Sequence, residues 1–331
     1  MNGNPMWRRS FMTLLAGAAA WPLGVRAQQT GRMPIVGYLS FASEASTRQA
    51  TEALRDGMRV NGYIDGENLR LLSRYADGNA ERLPHLAREL AAAGSRMIVT
   101  SGTTSVKAVQ SAVPALPIVM AGSGDPVLMG FARSLARPGG NITGISIFGN
   151  EIIGKRTEIL KDLVPSARTF ALLLHAANPG NEHFRRGFAA AGQSLGLTTH
   201  VREADSVEGY AEAFAWAASL PVDGVFVIED PFVYQHRETI FRMALAARLP
   251  TIGGTAPFAH AGALCTYGFD YLVIHRDSGR YVAEILRGAD PGDLPIEQPT
   301  RFELVVNLKT AQALGITLPE AIMILADEVI E

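Results

Sequence analysis

A run of small hydroxyl residues, Ser101 to Ser105, follows a short β-branched pattern and opens a helical one. A helix N-terminus presents unpaired N–H groups, so this segment could bind a carboxylate through both backbone and side-chain donors. The simpler alternative is an N-cap, in which one hydroxyl satisfies the helix's own backbone. Capping requires one hydroxyl, whereas residues 101–105 contain four, including that of Ser105. Anion binding is therefore the favoured interpretation of Ser101, Gly102, Thr103 and Thr104.

Three aspartates could neutralise a positively charged group. Asp125 and Asp230 each precede a proline, which is the arrangement of an N-cap followed by a first-turn proline. For either residue alone capping is the simpler role, yet a carboxylate in a cleft is also the simplest partner for an ammonium group. We expect Asp230 and Asp125 to contribute more than Asp270.

Aromatic side chains stand near the ends of several apolar runs. Phe41, Phe232, Tyr234 and Tyr267 could stack on a flat apolar ligand or offer a π face to a cation. Ordinary packing is the more common use of such residues, so they point only weakly to an aromatic ligand.

Other chemistries lack their motifs. Gly122-Ser123-Gly124 has no third glycine at the dinucleotide spacing, and neither a Gly-Lys-Ser/Thr phosphate loop nor a Gly-x-Ser-x-Gly elbow occurs. The seven histidines show no metal-ligand spacing, and the single cysteine, Cys265, cannot form a thiolate cage. We therefore expect no cofactor, no metal and no catalytic residues.

The elements that must position these residues alternate between β-branched apolar runs and amphipathic helical stretches. Such βαβα alternation predicts a parallel sheet covered by helices, and its repetition predicts two doubly wound α/β lobes with a first crossing near residues 140–149. The predicted strands are 34–39, 69–75, 97–100, 117–121, 142–147, 169–174, 198–201, 224–228, 250–253, 264–267 and 302–307. The predicted helices are 47–61, 81–93, 105–111, 127–135, 152–163, 181–195, 208–219, 234–247, 272–286, 308–314 and 319–330.

A ligand should lie where the two lobes face each other. In open parallel sheets, ligands bind beyond the carboxyl ends of the strands, where loops lead into helix N-termini. The predicted ligand-binding residues follow from those loops: Ser40, Phe41, Ser101, Gly102, Thr103, Thr104, Ser123, Asp125, Asn178, Asn181, Asp230, Phe232, Thr255, Tyr267 and Asp270.

The N-terminus has the pattern of an export signal. Arg8-Arg9 precede a short apolar stretch and the small-x-small end Val25-Arg26-Ala27, and the apolar part is too short to span a bilayer. The paired arginines allow either the twin-arginine or the general secretory route. Removal of residues 1–27 would leave 27 basic side chains against 32 acidic ones, a formal charge of −5. This charge argues against binding to nucleic acid or a membrane surface, and we expect a protein that is not membrane-embedded.

Four segments resemble one known family. They are the signal end Arg26-Ala27-Gln28-Gln29, residues 124–127 with the following Leu135-Ala136-Arg137-Pro138-Gly139-Gly140-Asn141, Tyr267-Gly268-Phe269-Asp270, and Phe302 to Ala311. The chain is similar to the substrate-binding proteins of ABC transporters, in the group that includes the streptococcal tryptophan and tyrosine receptors. The resemblance implies the type I periplasmic-binding-protein fold, with one lobe at 33–145 plus about 268–296 and the other at 146–267 plus about 297–331. It also implies a periplasmic location and ABC transporter permease subunits as partners.

Two classes of function remain open from the sequence. The first is an exported receptor that binds an amino acid or related small carboxylate, with an aromatic solute as one option, between its lobes for an ABC importer. The second is an exported enzyme acting on a small acid, with Asp125 or Glu229 as base and His175 nearby. A solute sensor that serves a signalling receptor cannot be separated from the first class by sequence.

Overall fold

Alternating strands and helices build two β-sheets in the computed structural model, which describes residues 33–147 and 150–331. The export signal predicted at residues 1–27 lies outside the described residues. The strands are β1 (Ile35–Ser40), β2 (Arg70–Tyr75), β3 (Ser95–Thr100), β4 (Ile118–Ser123), β5 (Ile142–Ser146), β6 (Thr169–His175), β7 (Thr198–Ala204), β8 (Gly224–Val227), β9 (Thr251–Gly253), β10 (Cys265–Gly268), β11 (Glu303–Asn307) and β12 (Glu328–Ile330).

Helices connect most of these strands. They are α1 (Glu44–Val60), α2 (Leu83–Ala92), α3 (Thr103–Ala112), α4 (Asn150–Leu163), α5 (Asn181–Ser194), α6 (Val207–Ser219), α7 (Pro231–Ala246), α8 (Ala256–His260), α9 (Tyr271–Leu286), α10 (Leu308–Leu314) and α11 (Glu320–Leu325).

The first sheet has the order β2-β1-β3-β4-β5, and its strand pairs are parallel. Helices cover both faces, so the central strands are apolar on both sides and almost completely buried. The order reverses direction between β1 and β3, and the loops after these two strands therefore diverge to leave room for a ligand.

The second sheet has the order β12-β11-β10-β9-β8-β6-β7. Its pairs are parallel except for β10 and β11, which run antiparallel. Phe170, Phe226 and Phe188 pack together between the strands and α5, with ring centroids 4.8 to 5.9 Å apart. Two mainly parallel sheets with alternating helices confirm the predicted α/β fold class.

The chain passes between the two sheets at three places. It leaves the first sheet after β5 and returns through the β10 to α9 connection, since α9 packs against α1 and β4. It crosses again after Glu297, whose backbone N–H donates to Gly144 O at 3.0 Å while its carbonyl accepts from Ser146 N at 2.8 Å. The neighbouring crossings are thus tied together by backbone hydrogen bonds. The lobe boundaries predicted from sequence stay a prediction.

Two predicted helices were wrong. Residues 126–130 form hydrogen-bonded turns in place of a helix at 127–135, because Gly130 adopts a left-handed φ of +70° that ends the helical path. The helix predicted at 319–330 stops at Leu325, and Glu328–Ile330 instead pairs with β11 as a parallel edge strand. That pairing is a long-range contact, which local helical periodicity cannot reveal.

No helix in the described part of the chain combines the length and the apolar character needed to cross a membrane.

Candidate ligand-binding site

The loops at the carboxyl ends of the two sheets meet around a cleft that holds two adjoining cavities. The aromatic cavity, of about 60 Å³, is lined in part by Phe41, Tyr234, Phe269 and Tyr271. The aliphatic cavity, of about 40 Å³, is lined in part by Leu128, Met129, Ile152, Ile153 and Phe184. Both linings include Gly102, Ile147, Glu229 and Pro231, so the two cavities share one wall.

The structure brings most of the predicted ligand-binding residues to these cavities. The aromatic cavity is also lined by Ser40, Phe41, Ser101, Gly102, Asp230 and Thr255. The aliphatic cavity is also lined by Gly102, Thr103, Ser123, Asp125 and Asn178. Asp270 lines a third cavity beside the crossings, together with Asp277, Glu297 and Glu303. The remaining four predicted residues, Thr104, Asn181, Phe232 and Tyr267, lie outside the linings of these three cavities.

The N-terminus of α3 lies at the shared wall of the cleft. Its N-cap is Gly102, with φ of +80°, and no side chain caps the helix. Thr103 Oγ1 instead accepts from Gly124 N at 3.1 Å, and Ser101 Oγ lies 3.1 Å from Tyr271 OH. The hydroxyls of this segment therefore do not serve as the helix cap, which leaves the first-turn N–H groups of α3 available to an anion.

Two buried hydroxyls at the cavity walls have no hydrogen-bond partner among the described residues. Ser123 Oγ belongs to the lining of the aliphatic cavity, and Thr255 Oγ1 to that of the aromatic cavity. Buried polar groups are nearly always paired in native proteins, so an unpaired one at a cavity wall indicates a missing partner. These two atoms are the expected contacts of a polar ligand.

Asp230 combines a capping role with a position in the aromatic cavity. Its Oδ1 accepts from Phe232 N at 2.8 Å at the start of α7, and its Oδ2 accepts from Asn178 Nδ2 at 3.0 Å. His175 Nδ1 lies 3.0 Å from Asp230 Oδ1 without the alignment of a hydrogen bond. His175 thus lies against Asp230 and stacks on Phe232 at 4.6 Å.

The other two aspartates also accept hydrogen bonds from the backbone. Asp125 Oδ1 accepts from Val127 N at 2.9 Å and Leu128 N at 3.0 Å. Asp270 Oδ1 caps α9 through Leu272 N at 2.7 Å. In Asp125 this leaves Oδ2 free of the cap at the wall of the aliphatic cavity.

Three of the four predicted residues outside the cavity linings have packing or hydrogen-bonding roles. Asn181 Nδ2 donates to His175 O and to Glu203 Oε1, both at 2.9 Å. Phe232 is stacked between neighbouring rings, and the Tyr267 ring lies 5.8 Å from that of Phe302. Thr104 Oγ1 is buried and has no hydrogen-bond partner among the described residues.

A buried ion pair at the shared wall was missed by the sequence analysis. Arg156 of α4 is 1% exposed, and its guanidinium donates to Glu229 Oε2 at 2.9 Å and to Glu229 Oε1 at 2.8 Å. A signal existed, because Arg156 lies four residues after Ile152 and four before Leu160, on the buried face of an amphipathic helix. A charged residue on such a face requires a buried partner.

Two tyrosines and a histidine at the cleft have shifted pKa values. Burial raises the pKa of Tyr271 and the pKa of Tyr234, so both phenols keep their protons at neutral pH and can donate. Burial lowers the pKa of His183, which lines the aliphatic cavity, and the nearby Asp125 opposes that shift.

The N-terminal part of α7 contacts Gly102, the start of α9 and Ser43. Pro231 lies so close to Gly102 that a Cβ at position 102 would be 2.5 Å from Pro231 Cγ. The ring of Tyr234 is 5.0 Å from that of Tyr271, and Gln235 Oε1 accepts from Ser43 N at 2.9 Å. These contacts bridge the cleft, so the structure represents a closed arrangement.

Within the described residues, no group of three or more His, Cys, Asp or Glu side chains is placed to hold a metal ion. The residues that line the two cavities offer hydrogen-bond donors, carboxylates and apolar surface.

Comparison with known proteins identifies the family of this chain. Residues 36–330 match the family model described as ABC transporter substrate binding protein. The chain belongs to this family. A tyrosine-binding protein of Clostridioides difficile is 22% identical over 289 residues, which cover 84% of this chain and 80% of that protein.

Solved structures show the same fold. An ABC domain of Streptococcus pneumoniae in complex with L-Trp is 25% identical, with a TM-score of 0.84 over 90% of this chain and 100% of that one. A leucine-binding protein of Thermotoga maritima is 10% identical, with a TM-score of 0.60 over 77% of this chain and 83% of that one. The fold is that of the type I periplasmic binding proteins, as the sequence resemblance implied.

Membership of the substrate-binding family sets the general role. Proteins of this family bind a small molecule and work with ABC transporters, and they do so outside the cytoplasm. This is a binding role and not an enzymatic one.

Proposed function

We propose that this protein is a periplasmic receptor that closes on a small solute in the cleft and delivers it to an ABC importer without altering it. The solute is an amino acid or a related small carboxylate, with an aromatic side chain as one option. Two of the three proteins named above support this class, because one is named as tyrosine-binding and another was crystallised with L-Trp.

One observation carries the proposal. The N-terminus of α3 has no side-chain cap and lines both cavities, one of which also contains the unpaired buried hydroxyl of Ser123 and the other that of Thr255. Free N–H groups at a helix start and unsatisfied hydroxyls together form a site for a carboxylate. Asp230 and Asp125 provide the opposite charge for an ammonium group at either cavity.

The apolar part of the solute has two surfaces available. The aromatic cavity presents Phe41 and Phe269, whereas the faces of Tyr234 are covered by Tyr271 and by the guanidinium of Arg237, which lies 4.7 Å away. The aliphatic cavity presents methyl and thioether groups that adapt readily to different shapes. Covering either surface with an apolar side chain of the solute contributes favourably to the free energy of binding.

The enzyme alternative gains no support from the geometry of Glu229 and His175. Both carboxylate oxygens of Glu229 accept from Arg156, and His175 lies against Asp230. A general base needs an oxygen within reach of a substrate proton. Hinge closure on an unchanged solute accounts for the same residues more simply.

Calorimetry with the twenty common amino acids and their deaminated analogues tests the proposal. We expect at least one compound to bind one-to-one, and mass spectrometry should recover it unchanged after incubation. Conversion of the bound compound to a product would contradict the receptor role. Absence of binding across the whole panel would contradict the proposed solute class.

A further inference from the structure

The Arg156–Glu229 pair is built into the shared wall of the two cavities. The guanidinium of Arg156 also donates from Nε to Tyr267 O at 2.7 Å, so its donors point to one carbonyl and one carboxylate. Glu229 is the more exposed member of the pair, with 11% of its side chain accessible against 1% for Arg156. From the cleft, Glu229 therefore screens Arg156.

The backbone around this pair is shaped to admit it. A Cβ on Gly254, after β9, would collide with Glu229 Oε2 and with the guanidinium of Arg156. A Cβ on Gly268, at the end of β10, would collide with the Gly254 carbonyl and lie 3.1 Å from Arg156 Nη2. Two glycines from adjacent strands thus keep open a space that the guanidinium and one carboxylate fill.

No lysine or arginine lines either cavity in the described part of the chain. A buried guanidinium is the side chain best suited to hold a carboxylate, because its fork of donors matches the two oxygens. Arg156 would therefore be the natural anchor for an anionic ligand group. In this chain a carboxylate of the protein itself already occupies it.

We propose that Glu229 is a specificity-determining residue. Its carboxylate occupies the anion-binding position formed by the Arg156 guanidinium, the Arg156 seat, and the cleft therefore rejects solutes that carry a second carboxylate. The inference rests on the proposed function and deepens it. A solute with one carboxylate uses the N-terminus of α3. A second carboxylate would be buried near the carboxylates of Asp125, Glu229 or Asp230, and among the described residues neither cavity is lined by a free lysine or arginine that could balance its charge. Like charges that are buried close together repel strongly.

The same geometry predicts a gain of function when Glu229 is removed. The substitution Glu229→Ala leaves Arg156 buried, without its carboxylate partner and next to a space of carboxylate size. We expect the melting temperature of this variant to fall below that of the wild type and to recover in a saturable manner with sodium formate. Sodium chloride at the same ionic strength should restore it much less, because one spherical ion matches the guanidinium fork less well than the two oxygens of a planar carboxylate.

Two variants serve as controls for the formate experiment. Glu182→Ala removes an exposed glutamate paired with Arg186 at 2.9 Å, and it should show no formate response, since that guanidinium is already in water. The double variant Arg156→Met with Glu229→Ala should also lose the response. A Glu229→Ala melting temperature that formate does not raise beyond the chloride effect overturns the proposal.

A second measurement uses the wild type and does not depend on the folding of a variant. Isosteric pairs, L-asparagine with L-aspartate and L-glutamine with L-glutamate, differ only in the second carboxylate. We expect the wild type to discriminate against the acidic member of any pair it binds by at least about tenfold, and Glu229→Ala to narrow that ratio. Wild-type binding of L-aspartate or L-glutamate as tight as that of its amide overturns the proposal.

The two measurements separate this inference from the proposed function. The formate response needs no solute, so it reports on the Arg156 seat even where no amino acid binds. The wild type could bind none of the panel while formate still stabilises the Glu229→Ala variant. This outcome would contradict the proposed solute class and support the proposed role of Glu229 at Arg156.

Discussion

Single residues in the cleft serve both the fold and the ligand, and Asp230 shows how the two roles can be separated. It caps α7, accepts from Asn178 and lines the aromatic cavity. Serine is as good an N-cap as aspartate but carries no charge. The capping and charge-neutralising roles can thus be tested by one conservative change.

The substitution Asp230→Ser should preserve stability and abolish recognition of an ammonium group. We expect the free energy of unfolding to change by no more than about 1–2 kcal/mol, because the cap is kept. Affinity for an amino acid should fall at least about thirtyfold, since a charge-assisted hydrogen bond is lost. Calorimetry and denaturant melts measure the two quantities, and a stable variant with unchanged affinity would restrict Asp230 to capping.

His275 links stability to pH. Burial lowers the pKa of its imidazole to about 4, although Nδ1 lies 2.9 Å from Tyr271 O, which favours the charged form. The unfolded chain binds the proton at the ordinary pKa of 6.5, so stability is complete above that pH and is lost as the pH falls toward 4.

The cost of charging His275 is about 3 kcal/mol when the pH falls from about 7 to 4. The variant His275→Gln should remove this part of the pH dependence. Denaturant melts of both proteins across this range measure the difference, which cancels the contributions of the carboxylates. Parallel pH profiles for the two proteins would show that His275 does not resist protonation.

Many of the residues named from sequence line the two cavities, but the sequence did not indicate how they divide between them, and their contact with a ligand stays a prediction. Ser101, Asp125 and Asp230 follow predicted strands, so their shared location follows from topology. The position of Arg156 on a buried helix face indicated a buried partner, but the identity of that partner could not be predicted, because Glu229 lies 73 residues away on a different element. Their distances depend on side-chain packing that no local pattern encodes.

Among the secondary-structure elements, the start of α3 and the first turn of α7 contact each other directly across the cleft. Gly102 permits the left-handed backbone at the N-cap of α3 and also the close approach of Pro231. Any side chain at position 102 would obstruct that approach. Contact between these two helix starts therefore depends on a single glycine.

The variant Gly102→Ala should weaken ligand binding by more than its loss of stability explains. Its control is Gly94→Ala, since Gly94 has a similar φ of +87° but a Cβ added there would meet no atom within 4 Å. Both variants should lose about 1–2 kcal/mol of stability through backbone strain. Only Gly102→Ala should lose affinity, by about tenfold or more. Equal affinities for the two variants in calorimetry would contradict a role for this contact.

Element boundaries were predictable where periodicity and caps agree. The helix predicted at 272–286 is observed as Tyr271–Leu286, because Asp270 caps its start and Gly288 follows its end. The segment at 127–135 has apolar residues at helical spacing, yet it turns at Gly130. Val329 and Ile330 are β-branched, which favours a strand, but the pairing of Val329 with Val306 becomes visible only in the assembled sheet.

At the scale of the molecule, closure depends on contacts outside the ligand cavities. Gln235 lines neither cavity, and its Oε1 accepts from Ser43 N across the cleft. A hydrogen bond that bridges the cleft favours the closed arrangement, and it therefore raises the closed population and with it the apparent affinity. Gln235 should therefore influence binding without touching the ligand.

The variant Gln235→Ala should lower the apparent affinity about threefold to tenfold, with little change in melting temperature. Gln193→Ala, at an exposed position of α5, is the matched control and should leave both quantities unchanged. Small-angle scattering of the unliganded proteins should show a larger radius of gyration for Gln235→Ala. A Gln235→Ala protein as compact and as tight-binding as the control would contradict the closure role.

The receptor role requires that the protein closes around one small solute and releases it chemically unchanged. Native mass spectrometry of the protein purified from its exported fraction detects such a solute on the chain. We expect one amine- and carboxylate-bearing molecule per chain, recovered intact after prolonged incubation and exchangeable with added solute. A bound molecule that is converted during incubation, or a chain that retains and accepts no such molecule, would contradict it.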